Sequence, residues 1–280
     1  LSNAIALSLV ACRQHSPQPV AKPRKSDTEE GQTAQECDFH CTGRKHMLTI
    51  RNMTPRLLLF AFATLTPAGL LAAGAALGGI WILLAVLHLT ALTSLLDRLI
   101  TPDTTAGPHN GDAMLSILIA MAHFALLPVV VWSLAGPALG TLEKIGLFFG
   151  AGLWFGQVSN ANAHELIHRT QRRLHRLGMW VYITMLFGHH TSAHVLVHHP
   201  HVATRADPNT SRKGESLYRY MLRAWGGSFR QGYRAEQTRL SRIGRPAWRN
   251  PYVVYIGGAA LCLMIAALLG GWQTLLAYTA

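Results

Sequence analysis

His164-Glu165-Leu166-Ile167-His168 sets two imidazoles four residues apart. On a helix that spacing puts both on one face, where they can hold a metal ion together. Zinc peptidases use the same spacing with the intervening glutamate as general base. That alternative needs a third ligand and a water-filled cleft, neither of which is evident. The chain offers instead a dense second group, His189, His190, His194, His198, His199 and His201. In a helix His190, His194 and His198 line one inward face, and His194 with His198 and His199 forms an HxxxHH pattern. At least three of these imidazoles are read as metal ligands. Nitrogen-rich ligation suits iron, zinc, copper and nickel alike, so the donors alone leave the metal open. Glu165 is a candidate ligand, base or orienting group, and orientation of a neighbouring imidazole is the favoured reading.

The surrounding segments are strongly apolar. Half of the 280 residues are hydrophobic and 14% are charged. Arg56 to Leu96 is long enough for two spans joined at Gly78-Gly79. Further apolar runs cover Ala113 to Leu134, Ile145 to Ala163 and Tyr252 to about Leu276. A soluble interior has too little room to hide all five. The expected fold is therefore an all-α, polytopic integral-membrane helical bundle carrying a histidine-rich cytoplasmic metal site. Leu177 to Phe187 is too short for an ordinary span and is expected as a re-entrant, interfacial or protein-buried helix. His88 and His123 lie within spans, where neutral imidazoles either serve function or hydrogen-bond between helices.

Charge supplies the topology. Of 25 Lys and Arg, 15 lie between His164 and Asn250 and eight precede Leu57, leaving Arg98 and Lys144. By the positive-inside rule the N-terminus and the 164–250 region are cytoplasmic, and four intervening spans return the chain to its starting side. The basic region lacks an aromatic platform for single strands, so nucleic acid is not an expected partner. Residues 1–55 read as a polar, disordered cytoplasmic tail and 56–280 as the membrane domain. The short run Ala4 to Ala11 lacks the basic leader of a signal peptide. Cys37 and Cys41 have no second pair to complete a zinc site, and Cys262 is a small packing residue.

The motifs, taken in order, resemble those of the membrane-bound alkane hydroxylases and xylene-type monooxygenases. His164 to Arg169, HELIHR, is similar to their first histidine box; His194 to Pro208, HVLVHHPHVATRADP, resembles the second box with its VATxxDP signature. Gly214 to Arg219 resembles the GES segment that follows. The likeness is strong over Asn160 to Trp248 and weaker across the apolar spans. It implies that His164, His168, His194, His198 and His199 ligate iron; Glu165, between the first two, is the candidate catalytic residue. Ala193, Val197 and Arg169 depart from the residues common in alkane hydroxylases, and His189, His190 and His201 lie outside the ligand motif. The family's later NYxEHYG-like segment and third histidine box do not occur, so the chain is expected to be truncated before them.

The resemblance implies a non-haem di-iron monooxygenase of the bacterial inner membrane that hydroxylates the terminal methyl of an alkane. Its cosubstrate is O2, and its electrons come from rubredoxin or a ferredoxin-type donor and the corresponding reductase. The apolar substrate enters from the bilayer lipids. Arg205, Arg212, Arg219 and Arg223 are candidate contacts for an anionic redox partner. Hydroxylation of an aromatic methyl group, fatty-acid desaturase-like oxidation and an inactive metal-binding membrane fragment are the alternatives.

Overall fold

The computed structural model describes residues 55–95 and 110–280, and every regular element among them is helical. The expected polar tail and its cysteines, and most of the loop before Asp112, lie outside the described residues. The first helix, α1 (Pro55–Leu77), turns into α2 (Ile80–Leu87), which continues as a π turn over His88–Leu92. Next come α3 (Asn110–Ala135) and α4 (Thr141–Leu153), the latter running through a π turn (Trp154–Ser159) into α5 (Asn160–Ile167). The amphipathic α6 (Arg172–Thr184) precedes the second histidine group, which occupies α7 (His190–Ala193), a π turn (His194–His198) and α8 (His199–His201). Two long helices follow, α9 (Leu217–Arg242) and α10 (Tyr252–Thr279).

Among the described residues, three helices are long and apolar enough to cross a membrane: Leu57–Leu77, Ala113–Ala135 and Tyr252–Thr279. Ile80–Leu95 is apolar but shorter. The fourth expected run is interrupted by a π turn, yet its helical path is unbroken. Residues 145 to 163 on that path rise about 27 Å, close to the thickness of a hydrocarbon core. The protein is thus an all-α, largely membrane-spanning bundle. α6 fits the expected protein-buried helix, with Val181, Tyr182 and Ile183 buried.

Gly78 and Gly79 form the expected tight reversal, both with positive φ. The Gly79 N–H donates to Glu143 Oε1 at 2.6 Å, and Gly140 N–H donates to Glu143 Oε2 at 2.8 Å. Those two amides hold the Glu143 carboxyl below its ordinary pKa and tie two reversals together at one end of the bundle. Small residues allow the helices close approach there: a Cβ on Gly74 or Gly146 would stand 2.7 or 2.8 Å from Ile82.

Two polar pins work deeper in the bundle. Pro67 cannot donate to the carbonyl four residues before it, Ala63, and the buried His88 ring packs against Phe62 of the same helix, with centroids 5.3 Å apart. The next carbonyl, Thr64, accepts from the fully buried Trp154 indole at 2.8 Å. His123 is also fully buried and uses both ring nitrogens, contacting Ser159 Oγ at 2.7 Å and Thr184 Oγ1 at 2.8 Å. Its role is the interhelical hydrogen bond, joining α3 to the second π turn and α6.

The fifth apolar run departs from the expected single span. Gly270 and Gly271 have non-helical dihedrals inside α10. Gly258 meets Ile183, and Tyr278 donates to Thr184 O at 2.5 Å, although a straight helix would separate residues 258 and 278 by about 30 Å. The chain therefore doubles back at Gly270-Gly271, making α10 a helical hairpin with arms 252–269 and 272–279.

Gly78→Ala should lower stability by about 1–2 kcal/mol from the left-handed backbone alone, before the displaced Glu143 is counted. Gly69→Ala, in a helix with open space around it, should leave stability unchanged or higher. Thermal unfolding in detergent compares the two.

Candidate metal centre

The site is assembled from the end of α5 and the π turn that begins at His194. His164, His168 and His194 offer ligand atoms that all lie within 4.8 Å of one another. His194 Nε2 is 2.7 Å from His164 Nε2, 3.1 Å from His168 Nε2 and 2.9 Å from His199 Nε2. An imidazole nitrogen carries one proton or one lone pair, so it can satisfy only one of three such neighbours by hydrogen bonding. A cation resolves the conflict: with metal–nitrogen bonds of about 2.0–2.1 Å, adjacent ligands stand about 3 Å apart. Burial, then the neighbouring imidazoles, keeps the His194 pKa far below its usual value, leaving its lone pair free for a metal at neutral pH.

The π turn explains which histidine arrives where. An α-helical turn would stack His198 beneath His194, whereas i→i+5 closure brings His199 to His194. His198 remains stacked on His194, with ring centroids 5.2 Å apart, but its Nδ1 contacts Asp207 Oδ2 at 2.8 Å. Asp207 is buried and also accepts from Thr210 Oγ1 at 2.6 Å and from Asn209 N–H at 2.9 Å. The turn at Asp207-Pro208 thus has a duty beyond its own loop, since engaging Nδ1 leaves Nε2 of His198 as the ligating nitrogen.

The Asp207 loop is clamped in turn. Arg223 donates from Nε to Glu215 Oε1 at 2.7 Å and from Nη2 to Glu215 Oε2 at 2.6 Å. It also reaches the carbonyls of Pro208 at 2.9 Å and Thr210 at 3.0 Å. Tyr220 OH and Ser228 Oγ hold Asn209 from α9. The DP and GES segments are therefore one device, a loop stapled to α9 that presents Asp207 to His198.

The sequence surrounding this device has recognisable relatives. A model of the fatty acid desaturase family matches residues 142–280, which include both histidine groups and the clamp. Alkane 1-monooxygenase 1 of Alcanivorax borkumensis is 30% identical over 60% of this chain and 44% of its own length. An alkane 1-monooxygenase of Pseudomonas putida is 33% identical over 48% of this chain and 33% of its own. The hydroxylase component of xylene/toluene monooxygenase from Pseudomonas putida is 25% identical over 75% of this chain and 62% of its own. The chain is a homologue of the alkane and xylene monooxygenases. It spans less than half the length of the two alkane monooxygenases. These bacterial relatives and the apolar helices agree on an integral membrane location.

Against the alkane-monooxygenase motifs, the five expected ligands divide. His164, His168, His194 and His199 converge, while His198 stands beside them on Asp207. Glu165 forms an ion pair with Arg169 at 2.9 Å and its side chain is half exposed. His201 is exposed, with Nδ1 against Val197 O. His190 is stacked on Phe187 and adjoins His194 at 5.0 Å, and burial, followed by neighbouring imidazoles, holds its pKa at about 3. His189 turns away toward Phe229 and Trp225. Of the arginines expected to meet a redox partner, Arg205, Arg212 and Arg219 are exposed, but Arg223 is committed to the clamp. Asp207 and Arg223 are the functional residues whose tasks went unread. Asp207's signal was a carboxylate nine residues past a ligand-type histidine.

Asp207→Ala should weaken metal binding about 10–100-fold while leaving the imidazole triad in place; titration with ferrous iron under argon measures it. Arg223 also holds the Glu215 carboxyl down at about 2. A carboxyl depressed in the folded state adds stability above its unfolded pKa, and that stability is lost as pH falls toward the folded value. Wild type should therefore lose more stability than Arg223→Gln between about pH 4.5 and 2. Melting temperatures across that window read the difference.

Proposed function

We propose that the protein is the histidine-ligated part of a non-haem di-iron monooxygenase that hydroxylates the terminal methyl group of an alkane. The observation that carries this reading is the crowding of three imidazole nitrogens on His194 Nε2, in a chain homologous to the alkane monooxygenases. His164, His168 and His194 would hold one iron; His199 and the Asp207-held His198 would serve its neighbour. Iron bound there supplies reductive activation of O2, so that R–CH3, O2, two electrons and two protons yield R–CH2OH and water.

The chain's own residues set the conditions for that chemistry. Burial keeps His164 and His194 neutral and therefore ligating. Asp207 fixes the His198 ring, and Phe187 and Tyr182 pack against the neighbouring His190. Glu165, paired through Oε1 with Arg169 and half exposed, would orient the first histidine pair from the side of the site. Exposed Arg205, Arg212 and Arg219 suit an acidic electron carrier of the rubredoxin or ferredoxin type, supplied by its reductase. The histidine end faces the cytoplasm of the bacterial inner membrane in this reading, in keeping with its 15 Lys and Arg. Apolar substrate would arrive laterally from lipid.

The test is iron content and product analysis on protein produced through its native stop codon and purified anaerobically in detergent. Two irons per chain, and 1-octanol from n-octane with rubredoxin, reductase and NADH, are expected. His168→Ala should lose iron and abolish the alcohol. No specifically bound iron would sink the mechanism, p-methylbenzyl alcohol formed in preference from p-xylene would move the substrate to the aromatic class, and an alkene product would indicate desaturation.

A further inference from the structure

His189 sits next to the imidazole cluster without joining it. Its side chain is more than nine-tenths buried, and its Nε2 has no hydrogen-bond partner. The ring lines a pocket of about 560 Å³ between α9 and the first arm of α10, a volume usual for small-molecule sites. Leu222, Trp225 and Phe229 form one wall, and Ile256, Ala260 and Leu263 the other.

The polar groups around the pocket are few. Tyr255 OH is engaged with Ser192 at 2.9 Å, and Arg230 is exposed. A water placed on His189 would find fewer partners than the two to four that hold a buried water. An alkane would fill the apolar walls and leave the nitrogen unmet. A carboxylate would have to be buried against an imidazole that desolvation keeps neutral. A hydroxyl on an apolar chain satisfies both the walls and the nitrogen.

We propose that this pocket binds a medium-chain primary alcohol, with its hydroxyl on His189 Nε2 and its chain along Leu222, Phe229, Ile256 and Leu263. The inference rests on the function proposed above, in which such an alcohol is the product. The site then receives product beside the metal centre, in the groove between α9 and α10.

The experiment uses the full-length protein in nanodiscs, without electron donor, and reads quenching of tryptophan fluorescence by terminally brominated decanol, decane and decanoic acid. Trp225→Phe identifies which part of the signal comes from the pocket, since the chain has seven tryptophans. Bromodecanol should quench Trp225 and be displaced by decanol, and His189→Phe should weaken it about tenfold, with bromodecane little changed. Ala260→Leu, on the lipid-facing arm, should fill the pocket and abolish binding, which decides the matter should His189→Phe misfold. Equal affinity for bromodecanol and bromodecane, alcohol binding indifferent to both variants, or tightest binding of the acid through Arg230 would overturn the proposal. His189-dependent alcohol binding in a protein that holds no iron would keep the pocket and remove the hydroxylase reading. Iron retention and octanol formation without that binding would do the reverse.

Discussion

A single nitrogen with one valence to offer organises this molecule. Three imidazoles stand within 3.1 Å of His194 Nε2, and hydrogen bonding can answer only one of them. Holding that arrangement requires helices whose positions are fixed from elsewhere. The α5 end is set by a helical path that begins at the Glu143 tie, the π turn at His194 by the packing of α7 against α9. Ser192 beside the cluster donates to the buried Glu236 of α9 at 2.7 Å and contacts Tyr255 of α10. Two long helices thus grip the four-residue α7, which could not hold its own shape in water.

Much of the site was legible because ligand chemistry writes itself into residue type. Paired histidines at helical spacing announced both His164 with His168 and the His194 group, and the order of the motifs gave the family. The partition among the second group was not legible. Period-four reasoning assumes an α-helix, and the π turn replaces it with a period that favours His199 over His198. Nothing in HVLVHH itself declares a π turn. Arg223 was misread for a different reason: an arginine in a basic stretch looks like surface charge until its carboxylate, eight residues upstream, is known to face it.

Hydropathy located the apolar segments and the Gly78-Gly79 reversal, where a glycine pair sits midway along an overlong run. It missed the comparable reversal at Gly270-Gly271. That pair lies near the end of a run short enough to be one span, and apolar residues look the same whichever way the helix heads. His123 followed the plainer of its two readings, as a hydrogen-bonding group in a medium where an unmet polar atom has no water to turn to.

The glycine reversal and its partner also leave the two ends of the described bundle unequal. Gly78-Gly79 and the short 136–140 connection meet at the end marked by Glu143, while the longer α9 and the Asp207 loop lie toward the histidines. Among the described residues, reagents confined to the Glu143 side would meet little backbone to cut or label, whereas the opposite side exposes most of the hydrophilic chain. The ends of the bundle are consequently under unequal freedom to change. One has room for insertions that alter partners and chemistry, and the other admits scarcely a side chain.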